Sequence, residues 1–176
     1  MGGGMGAPPA VSFETLYSLY FGFTWRVLGH LGVPARSMDD AVQEVWVVVH
    51  RRLAGFEGRS KTKTWLFGIA VNVARNQRRH ARRRPTLDEP CAEPMSPEPD
   101  AESLHAGRQA WQRVESYLET LDDERREVFV SCLLEGLGAA EVAELTGLGL
   151  LTVYNRVRAL RRSFRAWVAR QEKVPE

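Results

Sequence analysis

The chain has 176 residues, of which 44% are hydrophobic and 26% are charged, as is typical of one or two small globular domains. It contains two cysteines, no segment near the roughly 20 apolar residues of a membrane-spanning helix, and no secretory leader pattern. We therefore expect a cytoplasmic protein with no membrane insertion, no disulfide framework, no cofactor and no bound metal.

Charge is distributed unevenly, although the 24 basic and 22 acidic residues almost cancel. Residues 1–85 carry 13 basic and 5 acidic residues, residues 86–104 carry 6 acidic and no basic residues, and residues 105–176 carry 11 of each. Within 51–84, 11 basic residues stand against the single acid Glu57. Such a block indicates a polyanionic partner such as nucleic acid, but a solvated helix face would also explain it.

Three helices are predicted before residue 85, because apolar residues recur there with the period of a helix. The first spans 12–31 and is expected to bury a wide aromatic and aliphatic face. The second starts at Ser37, which we expect to cap it, and buries Val42, Val45, Trp46 and Val49. The third spans about 64–83.

Two polar faces stand out on these helices. Asp40, Gln43 and Glu44 share a face of the second helix that does not carry its apolar stripe. On the third helix, the spacing of Arg75, Arg78, Arg79 and Arg82 places four arginines on one face. Because neighbouring like charges oppose helix formation, a polyanion along this face would relieve their repulsion. An exposed helix end without a partner is the alternative interpretation.

Residues 85–103 are acidic, hold five of the nine prolines and contain almost no large apolar residue. Such a segment cannot bury a core, so we expect a flexible linker between two helical domains, 11–84 and 104–170.

The second domain is predicted to contain helices over 104–121 and 125–134, followed by a helix-turn-helix. Its short helix spans 139–145, the turn lies at Gly147, and a longer helix begins at Leu150. Recognition helices of this motif place polar side chains against bases and phosphates. The exposed candidates are Thr152, Tyr154, Asn155, Arg156, Arg158, Arg161 and Arg162.

Three segments in this order resemble the extracytoplasmic-function (ECF) sigma factors, the minimal group of the sigma-70 family. Residues 39–50 are similar to the helix of conserved region 2.2. Residues 56–60 and 64–79 resemble the loop and the tryptophan-led basic helix of region 2, and residues 121–129 with the helix-turn-helix resemble region 4. The resemblance implies an all-α protein with a region 2-like bundle and a region 4-like domain.

The resemblance also implies a function without catalysis. The chain would direct the RNA polymerase core, through its β′ and β subunits, to promoter DNA in the bacterial nucleoid, and an anti-sigma factor would hold it inactive. Asp40, Gln43 and Glu44 would contact the β′ clamp helices. The −10 element would contact Phe56, Arg59, Ser60, Lys61, Lys63, Asn72, Arg75, Asn76 and Arg79, and the −35 element would contact Thr152, Tyr154, Asn155, Arg156, Arg158 and Arg161.

Two other classes of protein compete with this interpretation. A free-standing helix-turn-helix regulator would explain the second domain but not the acidic face of the first. An enzyme such as a nuclease is disfavoured, because no phosphate-binding loop, paired metal-binding acids or catalytic triad can be found. The four histidines share no motif and are expected to be surface or interface groups.

Overall fold

The computed structural model describes residues 12–56, 58, 61–83 and 101–171, with side chains in the last range described from Gln109 onward. Regular structure within these residues is entirely helical, which confirms the all-α prediction. The α-helices are α1 (Phe13–His30), α2 (Met38–Leu53), α3 (Thr62–Arg83), α4 (Ala101–Glu119), α5 (Asp123–Val128), α6 (Ala139–Thr146) and α7 (Leu150–Gln171). A 3₁₀ turn, Ala35–Ser37, precedes α2, and a π-helical segment, Phe129–Leu134, follows α5.

Helices α1, α2 and α3 form the first bundle, and each packs against the other two. Val27, Leu28, Val45 and Val49 are fully buried at its centre, as the apolar periodicity predicted. Ser12 caps α1 by accepting a hydrogen bond from the backbone N–H of Thr15 at 3.2 Å. These local signals explain why the first two helices lie close to their predicted positions.

The predicted side-chain cap of α2 is wrong. Ser37 ends the 3₁₀ turn with φ −106° and ψ 4°, and its side chain makes no capping hydrogen bond. A capping serine normally has extended backbone, which turns its hydroxyl toward the free N–H groups of the first helical turn. The 3₁₀ turn instead leads directly into α2, since the N–H of Ser37 donates to the carbonyl of Pro34 at 2.9 Å.

The second bundle contains α4 to α7 and the π-helical segment. Asp122 caps α5 by accepting a hydrogen bond from the N–H of Arg125 at 2.8 Å. The predicted helix over 125–134 continues as a π-helix from Phe129, where the ring of Phe129 lies 5.3 Å from that of Tyr117. Tyr117 also contacts Phe164 of α7 at 5.0 Å, so this aromatic cluster joins three elements of the bundle.

The helix-turn-helix is confirmed, with α6 and α7 joined by a turn at Gly147. Gly147 has φ 72°, a left-handed conformation that glycine adopts without steric cost. Helix α4 starts at Ala101, before the start predicted at residue 104. The rest of the predicted linker, residues 85–100, lies outside the described residues.

The two bundles contact each other along one side of α3. A Cβ atom on Gly68 of α3 would lie 2.6 Å from Cδ2 of Leu145 of α6, so a larger residue at this position would force the Leu145 side chain to shift. Nearby, the hydroxyl of Thr64 donates to Glu141 of α6 at 2.9 Å. Sequence patterns contained no sign of this contact, which determines the environment of the basic residues on α3.

Candidate nucleic-acid and polymerase interfaces

Helix α3 presents two adjacent polar faces rather than one. The first, here called the open face, consists of Asn72, Asn76, Arg79 and Arg83, which recur every three or four residues and are all exposed. Amide and guanidinium groups at this spacing can reach bases and phosphates along a nucleic acid. Arg83 was missed among the predicted site residues, although the same spacing includes it.

The second face of α3, here called the closed face, consists of Arg75, Arg78 and Arg82 and binds acids of α5. Nε of Arg75 lies 2.8 Å from Oε1 of Glu127, and Nη2 of Arg78 lies 3.0 Å from the same oxygen. Nη2 of Arg82 lies 2.9 Å from Oδ1 of Asp123. The four arginines of α3 therefore do not share one exposed face, and only Arg79 of the four belongs to the open face.

Glu127 is the centre of this closed face and was not identified from the sequence. It is 3% exposed, and its carboxylate lies between the guanidinium groups of Arg75 and Arg78. The hydrogen bond to Glu127 raises the pKa of Arg75, so its charge is retained. Arg78, which also donates to the carbonyl of Leu31, is 6% exposed. A buried carboxylate requires such partners because its desolvation is otherwise very costly.

The loop before α3 is described in part. Phe56 stacks on Trp65 with ring centroids 4.6 Å apart, and Trp65 packs against the edge of the core. Lys61 is exposed, whereas Nζ of Lys63 lies 3.1 Å from Oε2 of Glu135 in the second bundle. Arg59 and Ser60 lie outside the described residues.

The predicted polymerase face of α2 is exposed at Asp40 and Gln43. Glu44 is half-buried, and its Oε2 accepts a hydrogen bond from Nε2 of Gln77 of α3 at 3.2 Å. Glu44 therefore helps to hold two helices of the bundle together, and Asp40 and Gln43 are the exposed polar groups of this face.

An aromatic groove borders this polar face and was missed as a surface. Its walls come from Phe13, Tyr17, Phe21, Trp25 and Trp46, together with Asp39 and Gln43. The ring of Tyr17 lies 4.9 Å from that of Trp46, yet Tyr17 remains 43% exposed. The sequence interpretation assigned this row to a buried face, although its four-residue spacing also suits a partly open stripe.

Helix α7 carries the predicted −35 residues, and most of them are exposed. Thr152, Tyr154, Asn155, Arg158, Arg161 and Arg162 are open to solvent. Arg156 differs from the prediction, because it is half-buried and its Nη2 lies 2.7 Å from Oε2 of Glu124. Arg158 is exposed and forms no ion pair with a carboxylate among the residues that the structure describes.

Of the two positions expected for the histidines, surface or interface, His30 occupies an interface, between the two bundles. It is 7% exposed where the bundles meet, with its ring 4.6 Å from that of Trp111 of α4. Burial lowers the pKa of His30 from 6.5 to about 4, and its Nδ1 has no hydrogen-bond partner among the described residues. His50 and His80 are exposed as expected, and the side chain of His105 lies outside the described residues.

No group of three or more His, Cys, Asp or Glu side chains suited to a metal ion occurs among the residues that the structure describes. In the same part of the chain, no helix is long and apolar enough to cross a membrane.

Two basic helix faces on an all-helical scaffold, one of them in a helix-turn-helix, are typical of a DNA-binding protein. Comparison with known families identifies the kind of DNA-binding protein. The family description "Sigma-70 region 2" matches residues 13–84, and "Sigma-70, region 4" matches residues 111–163.

Curated relatives agree with these matches. The chain is 31% identical to the RNA polymerase sigma factor CnrH of Cupriavidus metallidurans over 134 residues, covering 72% of this chain and 70% of CnrH. It is also 31% identical to the ECF RNA polymerase sigma-E factor of Escherichia coli K12 over 151 residues, covering 81% of this chain and 76% of that protein. The chain belongs to the ECF group of the sigma-70 family of RNA polymerase sigma factors.

Solved structures show the same fold. CnrH in complex with the cytosolic domain of CnrY superposes with a TM-score of 0.64 at 25% identity, covering 89% of this chain and 87% of CnrH. The sigma factor RpoE in complex with the anti-sigma factor NepR from Bartonella quintana superposes with a TM-score of 0.71 at 19% identity, covering 89% and 96% of the two chains.

Proposed function

We propose that this chain recruits core RNA polymerase through residues 11–84, reads the −10 element with the same domain, and reads the −35 element with residues 104–170. Residues 85–103 would serve as the linker between the two domains. The observation that carries this proposal is the presence, in one sigma-70 chain, of two exposed polar helix faces. One is the open face of α3, and the other comprises Tyr154, Asn155 and Arg158 of α7.

The proposed polymerase contact combines Asp40 and Gln43 with the aromatic groove beside them. An acidic and amide surface on a domain with eight excess basic charges favours a basic partner surface rather than DNA. The neighbouring rings of Tyr17 and Trp46 would add an apolar contact of the kind that dominates the energetics of interfaces. The partner on core polymerase is the β′ clamp region.

The proposed −10 contact starts at the loop and continues along α3. Phe56 and the residues that follow it, Arg59, Ser60, Lys61 and Lys63, would hold an unstacked base and its phosphates. The open face of α3, with Asn72, Asn76 and Arg79, would extend this contact along the DNA. Arg75 and Lys63 can take part once they have left Glu127 and Glu135.

The proposed −35 contact is made by the exposed side of α7. Its N-terminal turns would lie in the major groove, with Thr152, Tyr154 and Asn155 at base edges and Arg158 and Arg161 at phosphates. Arg156 would contribute less, because Glu124 already neutralises it.

Sigma factors are regulatory subunits rather than catalysts, and we infer that this chain has no catalytic activity of its own. We further propose that it acts at the bacterial nucleoid in the cytoplasm. The two solved relatives are bound to protein partners, one of them named an anti-sigma factor, and this supports the existence of such a partner here.

A reconstituted transcription assay tests the proposed function. The full chain is combined with sigma-free bacterial core polymerase on a library of promoter-like fragments, and run-off transcripts are sequenced. We expect start sites that depend on the added chain and that share −35 and −10 sequences upstream. Transcription that is unaffected by the folded chain would contradict the proposal. In that case, symmetric DNA sites bound without polymerase would favour a free-standing helix-turn-helix regulator.

A further inference from the structure

The first turn of α7 carries exposed apolar side chains that the fold does not use. Leu151 is 72% exposed, Tyr154 is 58% exposed and Leu150 is 45% exposed. The inward side of the same helix is supplied by Val153 and Leu160, which are buried. Leu151 therefore contributes little to the core, and a partner that covered it would remove apolar surface from water, which is favourable.

Leu151 lies on the face of α7 that we propose for −35 recognition. Leu151, Tyr154, Asn155 and Arg158 follow the i, i+3, i+4, i+7 spacing of one helical face, and all four are exposed. Leu151 is at the N-terminal end of this face, where recognition helices contact base edges most directly. An apolar group thus stands among the polar groups expected to read the bases.

The charge of α7 indicates what covers this apolar turn. Between Leu150 and Gln171 the helix carries six arginines and no aspartate or glutamate. A surface of this charge favours a polyanion over the apolar face of another protein. In the major groove of DNA, the apolar group that base edges present is the 5-methyl group of thymine.

We propose that Leu151, with the ring of Tyr154 beside it, is a specificity-determining contact that reads thymine methyl groups in the −35 element. This inference rests on the proposed function and adds a residue outside the polar set named from the sequence. Thr152 and Asn155 would read the hydrogen-bonding groups of neighbouring bases, and Leu151 would distinguish thymine from bases that lack a methyl group.

The test changes one methyl group of the DNA and leaves its hydrogen-bonding groups unchanged. Each thymine of the −35 element is replaced in turn by deoxyuridine, which lacks only the 5-methyl group. Promoter affinity of the holoenzyme, reconstituted with the full chain, is then measured by competition. At one or two thymines, we expect the replacement to lower promoter affinity about fourfold, since burying one methyl-sized group contributes about 0.8 kcal/mol.

The variant Leu151→Ala should lower affinity for the unmodified promoter and abolish the difference between thymine and deoxyuridine at the same positions. Leu19→Ala is the matched control, because Leu19 is 68% exposed on α1 of the other bundle. This control should retain the full difference. Arg158→Ala should weaken promoter binding but keep the full difference between thymine and deoxyuridine, because a guanidinium bound to phosphate does not contact the methyl group.

Three results would overturn the inference while leaving the proposed function intact. These are a −35 element without thymine, wild-type holoenzyme that is insensitive to every deoxyuridine, and Leu151→Ala holoenzyme that keeps the wild-type difference. If Leu151→Ala weakens binding to core polymerase and leaves the thymine difference unchanged, the apolar turn is a protein-docking surface and the inference is wrong. Failure of the proposed function gives a distinct result, since wild-type protein would then direct no transcription from the unmodified promoter.

Discussion

His30 shows how burial changes the chemistry of a single side chain. Its ring packs against Trp111, and its surroundings disfavour the imidazolium form, so its pKa falls to about 4. The unfolded chain takes up a proton near pH 6.5, whereas the folded chain does so only near pH 4. The contribution of His30 to stability is therefore complete above pH 6.5 and is lost as the pH falls from 6.5 toward 4.

We predict that replacing His30 with phenylalanine makes the protein less sensitive to acid. Between pH 7 and pH 5, the wild-type free energy of unfolding should fall by about 2 kcal/mol more than that of His30→Phe. Urea denaturation at several pH values measures this difference. His80→Gln, which changes an exposed histidine of α3, should follow the wild-type curve. Parallel curves for wild type and His30→Phe would contradict the prediction.

Arg158 and Arg156 lie on the same helix but differ in whether an acid already binds them. We predict that Arg158→Ala weakens holoenzyme binding to −35 DNA by a similar factor on all sequences and lowers the slope of log affinity against log salt by about one. Arg156→Ala should have a smaller effect, because Glu124 neutralises Arg156 at 2.7 Å in the free protein. Salt titrations of both variants measure the slopes. A larger loss of DNA affinity for Arg156→Ala than for Arg158→Ala would contradict the prediction.

At the level of single elements, α2 divides its polar residues between two tasks. Asp40 and Gln43 point to solvent, and Glu44 accepts a hydrogen bond from α3. The sequence pattern placed all three residues on one face, because helical periodicity gives only the direction of each side chain around the helix axis. It does not show which residue of another helix lies next to that side chain. Contact with α3 makes Glu44 a structural residue, whereas Asp40 and Gln43 are exposed to a partner.

This division predicts that the double variant Asp40→Ala, Gln43→Ala loses affinity for core polymerase by roughly tenfold, or about 1.4 kcal/mol. Its free energy of unfolding should fall by less than about 1 kcal/mol, the loss expected for an acid in the first turn of a helix. Glu44→Ala should instead reduce stability and affect polymerase affinity less. Titration of labelled chain with core polymerase, paired with urea denaturation, tests both. If Glu44→Ala reduced polymerase affinity more than the double variant does, the assignment of Asp40 and Gln43 as the polymerase-binding residues would be wrong.

Across the whole molecule, the two bundles meet through the same helix that is proposed to bind the −10 element. Arg75 and Arg78 contact Glu127, Arg82 contacts Asp123, and Lys63 contacts Glu135. In the proposed −10 contact, DNA phosphates would compete with these carboxylates for the same cations. Binding of the full −10 element would therefore require the bundles to separate along α3.

Neutralising Glu127 should shift this competition toward DNA. We predict that Glu127→Gln raises the affinity of the full free chain for single-stranded −10 DNA by about fivefold, within the usual range of coupling free energies. X-ray scattering should show an increased radius of gyration, because Arg75 and Arg78 lose their charged partner in the closed arrangement. Glu144→Gln, at an exposed position on α6, changes the net charge equally and is the control. Equal DNA affinities and equal radii for the two variants would rule out the competition.

Local patterns in the chain were enough to predict most of its helices, and the resemblance to ECF sigma factors supplied the functional class. The apolar stripe of α2 and the turn at Gly147 depend on residues within a few positions of each other. The same holds for the helix-turn-helix, whose exposed side, apart from Arg156, follows from the helical period. These features follow from backbone hydrogen bonding and short-range burial, which a linear pattern encodes.

Contacts between distant residues account for what the patterns could not predict. Arg78 and Glu127 are 49 positions apart, and nothing near either residue indicates that they meet. The division of the α3 arginines between two faces, the burial of His30 beside Trp111 and the neutralisation of Arg156 all depend on how helices pack. The charge and burial of these groups are set by neighbours that the fold brings close in space. Only the tertiary structure therefore decides which cations are available to bind DNA.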